Sequence, residues 1–262
     1  MTDGAARTAI VTGASRGIGR AIALRLARDG MRVVLCARDQ MALDEAIREI
    51  EEIENGGGTA LAVALDLRLP DSPAQLAETT AKAFGRIDIV VNNAGATKRG
   101  EFELLTDEEW ADGFALKFFG AVRLTRAAWP ELKRQAGSVV NIAGVGGRTP
   151  GPQFTIGGSV NAALLPFTKA LADLGVRDGV QVNAINPGPV RTERLVRRLA
   201  ADAAAKEIDL GSAEEELVRS ANIIRIGETE NIAGLVAFIV SPGGRLLQGS
   251  LIDMDGGQTK TI

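Results

Sequence analysis

Apolar residues along the chain fall into two alternating rhythms. Seven short runs are almost continuously apolar: 7–13 (RTAIVTG), 31–37 (MRVVLCA), 59–65 (TALAVAL), 87–93 (IDIVVNN), 137–143 (GSVVNIA), 180–186 (VQVNAIN) and 249–255 (GSLIDMD). That pattern predicts strands buried on both faces. Between them, 17–29, 40–54, 73–84, 107–134 and 158–175 carry a helical period, and a charged stretch near 192–221 predicts further helix. ENGGG at 54–58 reads as a helix stop. Strands alternating with helices argue for a parallel sheet with right-handed crossovers and helices on both faces. No linker-like shift and no short repeat interrupts residues 1–262, so one doubly wound α/β domain is expected. In such a sheet ligands bind beyond the carboxyl ends of the strands, where the strand order reverses.

Composition narrows the chemistry. The chain is 45% hydrophobic and 24% charged, with a formal net charge of −3, which supplies no broad basic field for nucleic acid or an anionic membrane. No run approaches the roughly 18 apolar residues of a membrane span. MTDGAARTAIVTG lacks the charged-then-apolar layout of a signal peptide, so the cytoplasm is the expected compartment. The single cysteine, Cys36, excludes an intrachain disulfide, and its apolar strand predicts a core thiol. Two zeros weigh more. Without histidine, Ser-His and Cys-His triads and His-ligated metal sites are excluded. Without tyrosine, phenolic acid catalysis is excluded as well.

The first loop after a predicted strand is TGASRGIG, residues 12–19. Gly13 permits a tight turn, Gly17 a close approach of backbone to phosphate, and Gly19 tight packing of helix on strand. The helix that follows offers free N–H groups and its positive dipole end to a pyrophosphate.

Together with NNAG (92–95), NPGPV (186–190) and MDGG (254–257), this loop gives the whole chain a resemblance to the short-chain dehydrogenase/reductase family. The resemblance implies a Rossmann-type, seven-stranded parallel sheet, a nicotinamide cofactor, and a homodimer or homotetramer. It implies that Gly13, Ser15, Arg16, Gly17, Ile18 and Gly19 hold the pyrophosphate. Asp66 and Leu67 would flank the adenine, beside which Asn93, Ala94 and Gly95 stabilise the sheet. Pro187, Gly188 and Val190 would face the nicotinamide. NAD-preferring sites end the second strand in an acid, whereas a 2′-phosphate needs a cation. Here that strand ends CARD; Arg38 with Arg16 suits a phosphate, and Asp39 beside them suits a ribose hydroxyl. NADP(H) is expected over NAD(H).

The resemblance is broken at the reaction end. The family uses a tyrosine, a lysine four residues later, a serine, and an asparagine on an earlier helix. Anchored on LLPFTKALA (164–172), the tyrosine position falls on Gly157 and the lysine position on Asn161. Anchored on SVVNIAGVGG (138–147), the serine position falls on Gly144; the asparagine position falls on Lys117. Lysine and asparagine are exchanged between helices, which suggests that Lys117 holds the cofactor ribose with Asn161 as its partner. The alternative is that catalysis was lost and Lys117 points to solvent. Gly144 and Gly157 carry no donor and imply open space beside the nicotinamide; Gly157 and Gly158 read equally as a loop end where backbones approach. Thr155 could supply a substrate hydrogen bond, whereas Ser159 lies off the active face. Segment 191–226 is expected to cover the substrate, with Arg191, Arg194, Arg197 and Arg198 either solvated or facing an anionic substrate. Two functions remain open: an NADP(H)-dependent oxidoreductase with a non-standard active site, and an inactive cofactor-binding partner or sensor.

Overall fold

The structure is a computed structural model that describes residues 6–53 and 59–260; the helix stop expected at 54–58 lies outside them. Seven strands form one sheet: β1 (Thr8–Thr12), β2 (Arg32–Ala37), β3 (Ala60–Ala64), β4 (Ile89–Asn92), β5 (Ser138–Ile142), β6 (Gln181–Pro187) and β7 (Leu251–Met254). All pairings are parallel, in the order β3-β2-β1-β4-β5-β6-β7. Nine helices accompany it among the described residues: α1 (Gly17–Arg28), α2 (Gln40–Glu51), α3 (Ser72–Phe84), α4 (Asp107–Gly113), α5 (Gly120–Gln135), α6 (Thr155–Asp178), α7 (Glu193–Lys206), α8 (Leu210–Ser220) and α9 (Thr229–Ile239). No helix among the described residues is long and apolar enough to cross a membrane.

The period-2 alternation of each strand divides the core into two layers. Ala9, Val11, Val33, Leu35, Ile89 and Val91 pack with α1, α2 and α9 on one face. Ile10, Val34, Cys36, Val90 and Val139 pack with α3, α5 and α6 on the other. Cys36 is a buried core thiol, and burial pushes its pKa up to about 12. The expected Rossmann-type architecture is therefore present.

Three elements differ from expectation. The helix expected over 107–134 is interrupted: α4 passes through a π-helical turn, Phe114–Phe119, before α5 continues the rod. The charged stretch near 192–221 breaks into α7 and α8, because Glu207 takes a left-handed conformation and Asp209 caps α8 by accepting from the Ser212 N–H. Helix α9, absent from the sequence reading, lies against α1. Its stretch TENIAGLVAFI is dominated by apolar residues and gives only a weak helical stripe; the Asn231 side chain starts it by accepting the Glu228 N–H at 2.9 Å.

Candidate functional site

The strand order reverses between β1 and β4, and the loops after both strands meet there. Thr12 Oγ1 accepts the N–H groups of Asn93 and Ala94 at 2.9 Å each. Asn93 Nδ2 returns a bond to the Thr12 carbonyl at 2.9 Å. This stitching fixes the floor of the crevice. Above it, Gly17 opens α1 at φ 55°, a left-handed conformation that disfavours other residues. Gly19 lies so close to the Gly13 carbonyl that a Cβ would overlap it. The backbone can therefore come within phosphate reach without side chains in the way, and the first turn of α1 supplies N–H groups lacking intrahelical partners. Ser15 is half-buried on the loop, and Arg16, exposed, is the residue from which α1 starts. These residues fit a dinucleotide pyrophosphate.

At the far end of the crevice, Arg38 leaves β2 exposed, its guanidinium 3.9 Å from the Asp66 carboxylate. Asp66 is also approached by Arg68 Nη1 at 3.3 Å, and Arg68 reaches on to Asp112. Asp39 turns the other way: its carboxylate caps α2 by accepting the Ala42 N–H at 3.2 Å. Leu67 is buried in the core layer that holds α5, its backbone close under Gly120.

At the reaction end, the π-helical turn carries Lys117 into the space between β4, β5 and α6. Its ammonium donates to the Ala143 carbonyl and, at 2.5 Å, to Asn161 Oδ1, while its stem lies against Gly95. Burial, with the field of Arg194 adding to it, brings the Lys117 pKa from its ordinary 10.5 down to about 7. Lys117 thus points inward, and Asn161 is 4% exposed. The structure brings these two together.

The glycines at this end do not open space. Gly144 has φ 122°, and a Cβ there would stand 2.9 Å from Asn161 Nδ2. A Cβ on Gly157 would overlap the Phe154 ring, which also lies 2.7 Å from the Cβ position of Gly146. Phe154 fills the room that the sequence reading left empty. At Gly158 the nearest atoms are Pro150 Cβ and the Gly146 carbonyl, the close approach of two backbones. Phe154 in turn carries the Arg99 guanidinium 4.4 Å above its ring. Neither Phe154 nor Arg99 stands out in the sequence, because one resembles core material and the other a solvated loop residue. Thr155 Oγ1 is buried without a hydrogen-bond partner, and Ser159 is exposed.

The remaining loops close the site. Pro187 ends β6; Gly188 packs on Asp255 of the MDGG stretch and donates to the Met254 carbonyl at 3.1 Å; Val190 pairs with Gly227. The start of segment 191–226 lies against the crevice loops: Thr192 touches the Gly17 position, and Arg194 Nη2 donates to the Gly95 carbonyl at 3.0 Å. Arg191 is instead tied to Glu214 and Glu228, a structural clasp rather than a free cation.

Comparison with known proteins agrees with this geometry. The family model for short chain dehydrogenase matches residues 7–203. An uncharacterised oxidoreductase of Mycobacterium tuberculosis is 36% identical over 255 residues, 97% of this chain and 92% of that protein. A 3-oxoacyl-[acyl-carrier-protein] reductase of Synechocystis is 35% identical over 260 residues, 98% of each. The crystal structure of L-sorbose reductase from Gluconobacter frateurii, complexed with NADPH and L-sorbose, superposes with a TM-score of 0.93 at 31% identity, covering 98% of both chains. By sequence profile, relatives and fold together, the chain belongs to the short-chain dehydrogenase/reductase family of oxidoreductases.

Proposed function

We propose that the protein is an NADP(H)-binding oxidoreductase in which Lys117 and Asn161 replace the family's tyrosine-centred reaction end. The carrying observation is the Lys117 ammonium, held by Ala143 and Asn161 where the crevice passes from the cofactor loops to α6. The glycine loop, Arg16 and Arg38 would hold the dinucleotide. Asp39 is occupied as a helix cap, which favours the 2′-phosphate over a bare ribose, and the L-sorbose reductase was solved with NADPH. The nicotinamide, when bound, supplies the hydride. Lys117 lies against Gly95 and supplies a cation for the ribose. With a pKa near 7, it also offers a proton to a developing alkoxide or amine at neutral pH. Asn161 and Ala143 keep the ammonium in place through both tasks. Homo-oligomerisation belongs to the same proposal and is read by sedimentation.

The Phe154 ring over Gly157 favours a second reading, a cofactor-binding partner or sensor without turnover. One experiment separates them. NADPH and NADH are titrated by nicotinamide fluorescence, and the loaded protein is offered carbonyl, imine and alkene acceptors with NADPH oxidation followed. NADPH-selective binding with slow turnover that disappears in Lys117→Met supports the first reading. Binding without oxidation of any acceptor supports the second. Removing Arg16 and Arg38 together should weaken NADPH binding about tenfold to a hundredfold, the worth of one or two charge-assisted hydrogen bonds, and leave NADH almost unchanged.

A further inference from the structure

Helix α7 and the loop after β4 run along each other at the mouth of the reaction end. Residues 194 and 198 are one turn apart and share a helix face, and Arg194 reaches Gly95. Residue 198 therefore lies on the face of α7 that meets this loop, on which Arg99 stands four residues beyond Gly95. The Arg99 guanidinium carbon lies over the Phe154 ring, a cation–π contact that positions it there. Phe154 lies over Gly146, whose Cβ position is 3.4 Å from Asn161 Nδ2, and Asn161 holds Lys117. A continuous row of contacts thus leads from Arg99 to the Lys117 ammonium.

The charges along this row are poorly balanced. In the same segment Arg191 is matched by Glu214 and Glu228, and Lys206 by Glu216, while Arg197, Arg219 and Arg225 stand without an ion pair among the described residues. Arg99 and Arg198 form no ion pair with the described residues. Partial burial, with the field of Arg198 adding to it, lowers the pKa of Arg99, and the field of Asp202, one turn beyond Arg198, opposes this. Two guanidiniums offered by neighbouring elements, α7 and the loop after β4, supply the donors that a carboxylate or phosphate needs.

We propose that Arg99 and Arg198 form an oxyanion clamp at the mouth of the reaction end, taking the carboxylate or phosphate of a small organic substrate whose remainder extends past Phe154 toward Lys117. This substrate class rests on the proposed oxidoreductase reading for its meaning, but not for its test. Phe154 sets the direction of the substrate, because the ring occupies the direct route over Gly157.

The test is calorimetric titration of the protein, with and without saturating NADPH, using 3-phenylpropionate, its neutral amide, and 2-phenylethyl phosphate. The clamp predicts that at least one of the two anions binds about tenfold or more tightly than the amide, and their ranking separates carboxylate from phosphate. It also predicts that Arg99→Met and Arg198→Met each remove most of that preference without altering NADPH affinity. Equal binding of the amide and both anions overturns the clamp, as does absence of binding by either anion, or a preference that survives both substitutions. NADPH affinity falling with the anion preference in Arg99→Met would instead assign the guanidinium to the cofactor and overturn it too. Failure of the protein to bind NADPH counts against the oxidoreductase reading alone, because the nucleotide-free titration still decides the clamp.

Discussion

Lys117 is the residue on which the proposed function turns, and its ionisation is accessible to measurement. Its pKa near 7 lies below the ordinary 10.5 because burial penalises the charged amine. Between those values the unfolded chain binds a proton that the folded chain does not, so this residue makes stability rise with pH across that window and contributes no slope below it. Urea unfolding at about pH 7 and about pH 9.5 should show the wild type gaining on Lys117→Met as pH rises. A gap independent of pH would mean that Lys117 titrates like an exposed lysine. The glycines nearby make a second prediction. Gly157→Tyr should not restore a phenolic acid, because Phe154 already occupies its room; overpacking of this kind costs about 1–3 kcal/mol. Adding Phe154→Ala should recover part of that loss in melting temperature.

Helices and strands were far more legible than the contacts between them. All seven strands fall within a residue or two of the apolar runs, because the five central ones are buried along almost their whole length and the partly exposed edge strands β3 and β7 remain mostly apolar. Helix α9 escaped because its largely apolar sequence gives only a weak helical stripe, and the π-helical turn at Phe114–Phe119 escaped because an extra residue per turn hardly disturbs an apolar pattern. At the site, the family resemblance suggests an exchange of Lys117 and Asn161, whereas their meeting is tertiary. Phe154 over Gly157 was illegible for the same reason. The polar stitch between β4 and β5 is another such feature: Asn92 donates to Asn141 at 2.8 Å and to Thr125 at 3.0 Å, and Asn141 donates to Thr168 at 2.9 Å. This chain joins α5, β4, β5 and α6 beneath Lys117. Asn141→Leu removes one bond from Asn92, which keeps Thr125, and one from Thr168, which keeps the Leu164 carbonyl; it should cost about 0.5–1.5 kcal/mol per lost bond, read as a lower denaturation midpoint with an unchanged slope.

At the scale of the molecule, a chain of net charge −3 collects cations along one crevice: Arg16, Arg38, Arg194 and Lys117, with Arg99 and Arg198 at its mouth. A phosphate entering there meets a local field opposite to that of the whole protein. Salt shortens the reach of such fields to about 10 Å at 0.1 M. NADPH affinity should therefore fall more steeply with added sodium chloride than NADH affinity, since only the former carries the 2′-phosphate. Parallel salt slopes would place that phosphate away from Arg16 and Arg38.

The filled glycine positions also constrain how this chain can change over evolutionary time. A side chain at 144 requires both a new backbone conformation and the displacement of Asn161, and one at 157 requires Phe154 to leave. A side chain at either position carries a stability cost, so a route to a hydroxyl-bearing site passes through at least one less stable protein. Such a barrier acts as a ratchet. Random single mutagenesis should accordingly find its gains at Lys117, Phe154 and the mouth above them rather than at the two glycines.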